Sequence, residues 1–209
     1  MSQQTLTRRE KQRHTRKCLL EAAAQIFSKQ GLEGTSIDQV AQTAGYTKGA
    51  FYANFKSKEE LFLVMLDERF SGELERLDAA LVGSHDAQEE AMAAAADFIH
   101  VAGDDDWPRL YFQFVAHAAQ DDEFRQELAT RMAAMRQRVG GIFKRWKESY
   151  DIPQALPIEQ ITAMICFMAD GFLVDRMIEP ELSEELYTTM VGVFLRGLKA
   201  LAEENPAAS

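Results

Sequence analysis

Side chains that could do metal or nucleophile chemistry are few and badly spaced for it. The four histidines, His14, His85, His100 and His117, include no i, i+4 pair and no HExxH, the spacing that sets two imidazoles on one helical face around zinc. Cys18 and Cys166 stand far apart with no CxxC and read as buried thiols of a reducing compartment. GxSxG, a glycine-rich phosphate loop and an ordered Ser/His/Asp grouping are missing as well. No catalytic residue, metal or cofactor is expected. What the chain does offer is chemistry toward a polyanion. Thr47, Lys48, Gly49 and Tyr52 place a hydroxyl, an ammonium, uncovered backbone and a phenol within little more than one helical turn. At a helix start, free N–H groups point the same way, toward phosphates or base edges.

The charge distribution agrees. The net charge is −10, yet residues 1–60 carry ten Lys/Arg against six Asp/Glu, while residues 61–209 carry thirteen against twenty-seven. Arg8, Arg9, Lys11, Arg13, Arg16 and Lys17 crowd into the first seventeen positions. A basic head on an acidic body repels polyanions everywhere but at one end, which would orient it on DNA. An evenly solvated, helix-favouring charge pattern accounts for the same counts equally well. With 46% apolar residues the chain can fill a core, and no apolar run reaches the ~18 residues of a membrane span. Met1 to Lys17 is polar and basic, unlike a secretory signal; a cytoplasmic protein is expected.

The elements that hold these residues read as helices throughout, about nine of them, an all-α fold without strand signals. Thr7-x-x-Glu10 opens the first, with Leu19, Ala23, Ile26 and Phe27 inward and Gly31 at its end. Thr35 or Ser36 caps a short second helix with Ile37, Val40 and Ala41 inward; Gly45 stops it, and Thr47 caps a third over Lys48 to about Asn54. Ser57-x-x-Glu60 opens a long fourth helix to about Leu81. Breaks at Gly83, at Gly103–Asp106 and over Asp151–Pro157 divide the remainder, with helices from Asp86-x-x-Glu89, from Trp107-Pro108, from Asp121 and Asp122, and over 158–178 and 184–203. Two short helices around a glycine turn form a helix-turn-helix, whose second helix enters the major groove. Lys48 and Tyr52, one turn apart, then face outward, and Phe51 and Phe55 anchor the helix from within.

Residues 35–61 resemble the N-terminal signature of the TetR family of bacterial repressors. The resemblance rests on Gly45 in the turn, on Thr47-Lys48-Gly49-Ala50-Phe51-Tyr52, and on Lys56-Ser57-Lys58-Glu59-Glu60-Leu61. Tyr46 stands where a small aliphatic residue is usual in that family. The resemblance implies a helix-turn-helix domain over 1–57 and a ligand-binding and dimerisation domain over 58–209. It implies a homodimer on a near-palindromic operator, released by a small-molecule inducer, with no membrane partner. Its DNA contacts carry over to Thr35 or Ser36, Thr47, Lys48, Gly49, Tyr52 and Lys58. Two other classes of function compete. A helical interaction scaffold would fail to bind any DNA at low salt, and an enzyme would turn over a candidate ligand.

The body's ligand is not inherited with the family. Phe98, Phe112, Gln113, His117, Phe143, Met164, Phe167 and Asp170 are the candidate lining, mostly aromatic or methionine with few polar groups, as suits a mainly hydrophobic guest. His117 reads more simply as a hydrogen-bonded core histidine. Asp170 lies among apolar residues and needs a partner, so it faces solvent, pairs with an arginine, or meets a cationic ligand. The helices 158–178 and 184–203 are apolar over more than one stripe, which predicts a four-helix dimer bundle through Phe172, Tyr187, Val191, Phe194, Leu195 and Leu198, with Gly171, Gly192 and Gly197 allowing close approach. Gly140-Gly141 costs a helix about 2 kcal/mol against two alanines, and close packing or a kink would explain it.

Overall fold

A computed structural model describes residues 7–81, 86–103, 106–149 and 156–204. Among them run nine helices: α1 (Arg8–Gln30), α2 (Ile37–Thr43), α3 (Lys48–Tyr52), α4 (Lys58–Ala80), α5 (Ala87–Gly103), α6 (Trp107–Ala118), α7 (Asp122–Ser149), α8 (Ile158–Ile178) and α9 (Glu184–Glu204). Gly83, His85, most of the loop Asp151–Pro157, part of the Gly103–Asp106 break and the tail after Glu204 lie outside the described residues. No described helix is long and apolar enough to cross a membrane.

Helix starts are set by side chains that take up the free N–H groups of the first turn. Thr7 and Glu10 cap α1 reciprocally, Glu10 N–H donating to Thr7 Oγ1 and Thr7 N–H to Glu10 Oε2. That bond to the Thr7 backbone holds the Glu10 carboxyl below its usual range. Of the two candidate caps for α2, Ser36 is the one used, with Gln39 completing the box. Thr47 caps α3, Asp86 accepts from Gln88 and Glu89, and Asp121 accepts from Phe124. Ser57 accepts from Glu60 N–H, but the Glu60 carboxylate reaches back to Lys56 N–H, one residue further than a capping box requires. Gly31 and Gly45 end α1 and α2 at φ 70° and 77°, a region that favours glycine.

The described residues form two compact units, one drawn from 7–69 and 109–125, the other from 70–108 and 126–204. The boundary expected between 57 and 58 falls at the start of α4, whereas the units divide inside that helix, after Arg69. The first unit is built on phenylalanines. Phe27, Phe51, Phe55, Phe62 and Phe114 are almost wholly buried, each contributing about 1.5–3 kcal/mol by burial. The Phe114 ring lies flat on Phe62 (centroids 3.4 Å apart) and meets Phe27 edge-on at 5.5 Å. Gln113 packs on the Gly31 turn so closely that a Cβ there would sit 2.5 Å from its Oε1.

The second unit has two apolar clusters. Leu74, Leu81, Ala91, Ala94, Val139, Ile142 and Trp146 form one, in which the Trp146 indole N–H donates to Glu90 at 3.2 Å. Ile99, Ala169, Phe172, Tyr187 and Val191 form the other. A Cβ on Gly140 would stand 3.1 Å from Thr162 Oγ1, so close approach of α7 and α8 accounts for that glycine; Gly141 has no such neighbour.

Candidate nucleic-acid interface

The outer surface of α2 and α3 is assembled from caps. Ser36 and Thr47 are exposed residues whose hydroxyls hold the first turns of α2 and α3. Lys48 follows Thr47, and its ammonium donates to Asp38 Oδ2 at 2.9 Å with both side chains half exposed. This hydrogen bond, then the Asp38 charge, raises the Lys48 pKa above its ordinary value, so the ammonium stays protonated across physiological pH. One turn on, Tyr52 is 52% exposed, with its ring edge-on to the buried Phe51. Gly49 lies between them, and a Cβ there would meet nothing nearer than Thr47 Oγ1 at 3.7 Å. Packing within the chain therefore does not require this glycine. Its bareness leaves room for something outside the chain.

Two residues expected on this surface are turned inward. Thr35 is 3% exposed and its hydroxyl donates to Gly31 O at 2.6 Å. The Lys58 ammonium donates to Leu32 O at 2.7 Å and Thr35 O at 3.3 Å. Thr35 closes the α1–α2 turn on itself and Lys58 ties that turn to the start of α4, because a turn leaving a helix has carbonyls in need of donors. Asp38, which holds Lys48, went unrecognised in the sequence, and Arg16 was read only as one charge of the basic head; its guanidinium donates to Asn54 O at 3.1 Å and covers the Phe55 ring at 4.4 Å. The i, i+3, i+4, i+7 stripe Arg9, Gln12, Arg13 and Arg16 was the available signal.

Two family matches decide the lineage. Residues 19–65 match the bacterial regulatory proteins of the tetR family, and residues 87–200 match the C-terminal domain of BetI-type transcriptional repressors. The chain belongs to the TetR family. It is a helix-turn-helix, DNA-binding transcriptional regulator of a family that is not enzymatic. It is similar to the HTH-type transcriptional regulator AcrR of Shigella flexneri, at 44% identity over 63 residues, 29% of each chain. The alignment therefore spans less than a third of that relative. Two solved structures share the fold: Salmonella enterica GusR, with TM-score 0.74 and 20% identity over 94% of this chain and 100% of that one, and Bacillus subtilis FadR in complex with stearoyl-CoA, with TM-score 0.65 and 17% identity over 87% and 96%.

The candidate ligand residues of this TetR-family chain divide between the units. Phe112, Gln113 and His117 fall in the first. His117 is largely buried against Phe124, with Nδ1 3.7 Å from Glu33 and Nε2 4.0 Å from Asp121. Phe98, Phe143, Met164, Phe167 and Asp170 fall in the second. Phe98 and Phe143 pack on its clusters. Met164 and Phe167 are 42% and 63% exposed, so within one chain they lie on the surface. Burial raises the Asp170 pKa, with Arg136 opposing and Glu73 reinforcing the shift. The Cys166 thiol is pushed up to about 11, mainly by burial.

The expected interface residues also sort into two groups. Phe172, Tyr187 and Val191 belong to the chain's own core, at 4%, 2% and 6% exposure. Phe194, Leu195 and Leu198 are half-buried. The apolar surface left uncovered is carried by their neighbours Met164, Phe167, Met177 and Ile178 on α8 and Leu186, Val193 and Leu201 on α9. A Cβ on Gly171 or Gly197 would meet nothing within 4 Å, whereas one on Gly192 would touch Met92.

Proposed function

We propose that this regulator is a homodimeric cytoplasmic repressor that grips a near-palindromic operator with α3 and releases it when a mainly hydrophobic small molecule binds the body. The observation that carries the DNA-reading part is the run of exposed groups at α3: the Thr47 cap, Lys48, bare Gly49 and Tyr52, with Ser36 exposed at the start of α2. Thr35 and Lys58 serve by holding the turn behind that surface. Lys48→Ala is expected to weaken operator binding by about 1–3 kcal/mol, and Tyr52→Phe by less. Unchanged affinity in a titration of the Lys48→Ala/Tyr52→Ala double variant, with helical content intact, would remove α3 as the recognition helix.

Dimerisation is supported by the seven large apolar side chains exposed on α8 and α9, a concentration that ordinarily marks an interface. For release, the ligand has to favour the conformation that does not fit DNA by several kcal/mol. α4 contributes to both units. Its tilting would shift the two recognition helices from the roughly 34–36 Å spacing of successive major grooves. That FadR of similar fold holds stearoyl-CoA fits a guest with a long apolar part; the CoA part of that ligand is polyanionic, whereas the acidic body of this chain favours lipophilic cations over polyanions. Neutral aromatics, fatty acyl compounds and lipophilic cations screened by thermal shift, followed by operator titration with each hit, test the switch. Stabilising ligands that leave DNA affinity unchanged would end it.

A further inference from the structure

The arginines of α1 take no part in the helix-turn-helix surface, yet they carry much of the head's positive charge. Arg9, Gln12, Arg13 and Arg16 recur at the spacing that sets side chains on one helical face. Together with Asn54 they line a single open concavity. The concavity is fixed to the recognition helix. Asn54 stands just past the Ala53 cap of α3, its side-chain amide donating to Ala50 O at 2.8 Å, and its backbone carbonyl accepts from Arg16 at 3.1 Å. Stacking on Phe55 holds the Arg16 guanidinium in place. Arg9 and Arg13 stand further out, both exposed, and neither forms an ion pair among the described residues, although Glu10 feels the charge of Arg13. Lys48, at the other end of α3, is already paired with Asp38.

We infer that the Arg9–Arg13 face of α1 is a second DNA contact, a clamp on the phosphate backbone beside the groove that α3 enters. The inference rests on the DNA-reading role proposed for α3 and extends it. Guanidiniums without a carboxylate partner match phosphate oxygens well. Arg16 and Asn54 act as positioning residues, setting the register of the face against α3. The clamp supplies affinity without reading sequence, because phosphate contacts carry no base information.

The test compares Arg9→Gln/Arg13→Gln with the unaltered protein on two probes: a random-sequence duplex and an operator selected from a random pool by the unaltered protein. Each phosphate contact adds about 0.9 to the slope of log affinity against log salt, so losing two per head lowers the slope by about 3.6 for a dimer with both heads engaged. Affinity for both probes should fall at least about tenfold, with their ratio held within about twofold. Arg9→Lys/Arg13→Lys should keep the slope, and Lys11→Gln, on the opposite face of α1, should barely change it. An unchanged slope in the Gln variant overturns the clamp, as does an equal per-charge effect from Lys11→Gln. A collapse of the specific-to-random ratio would make these arginines base readers and overturn the phosphate assignment. If the unaltered protein binds neither duplex in a salt-dependent way, the DNA-reading role of α3 itself fails. A clamp that fails alone leaves that role standing.

Discussion

The two units bury apolar side chains alike but finish their surfaces differently. In the first, the large apolar groups are inside apart from Tyr52 on α3 and Val115 on α6, and what faces solvent on α1 to α3 is mostly hydroxyl, amide and charged groups of both signs, with the cations in excess. In the second, α8 and α9 fill a core and still leave seven large apolar side chains uncovered. One surface is nearly complete as a polar surface and unmatched chiefly in charge. The other is unmatched in area. On the function proposed above, the difference separates two kinds of partner, a polyanion for the first and a second apolar face for the second.

The comparison breaks most visibly if the uncovered area is given charge. Phe167→Glu/Val193→Glu is expected to convert the dimer to a monomer at micromolar concentration in sedimentation, weakening dimer affinity by at least about a hundredfold, since each buried unpaired carboxylate costs several kcal/mol. A dimer that persists would assign the exposed stripe no partner. The folded chain itself should survive, because both side chains lie outside its core.

Within the first unit, Phe114→Ala removes the ring stacked between Phe62 and Phe27. A loss of about 3–5 kcal/mol is expected in chemical denaturation. If the loss stays below about 1 kcal/mol, the phenylalanine cluster is not what holds that unit.

Much of the first unit was legible because its signals are local. Caps at Thr7, Ser36 and Thr47 and the stops at Gly31 and Gly45 fix α1 to α3 from residues three or four apart. Thr35 and Lys58 escaped because their roles are tertiary. Nothing in the spacing tells that Thr35 turns to Gly31 O, or that Lys58 reaches back to Leu32 O across 26 positions. In the second unit the helices were legible but their faces were not. α8 is apolar round so much of its circumference that it gives no phase, so Phe172 could not be told from Met164 and Phe167 until the chain's own packing had chosen. α9 has a phase, but its apolar arc is broad enough to hold both the buried Tyr187 and Val191 and the exposed Val193.

A smaller effect sharpens the charged surface. Gly49→Ala should leave folding undisturbed, as the added methyl meets only Thr47 Oγ1 at 3.7 Å. Operator affinity should nonetheless fall, by about five- to tenfold, if backbone and DNA approach closely there. Equal affinity would show that the glycine is incidental.

The smallest effect concerns Asp170. Burial raises its pKa in the folded chain, so the folded state holds the proton more tightly than the unfolded state. Stability from this group is therefore fully present at acid pH, below the unfolded value, and is lost as pH rises through the folded one. Asp170→Asn should raise the melting temperature slightly at neutral pH, with the gain vanishing on acidification. A gain that instead grows toward acid pH would reverse the assignment.

Gly49, Gly171 and Gly197 share a property with an evolutionary consequence. Each sits in a helix, where alanine would be favoured by roughly 1 kcal/mol, and the fold leaves space for a methyl at all three. A selection for heat resistance alone would fill them. Gly72 in α4 and Gly141 in α7 are as open, and alanine there would add stability alone; at Gly49, Gly171 and Gly197 the same change, on the function proposed above, would yield a sturdier protein that closes less well on DNA or on its twin.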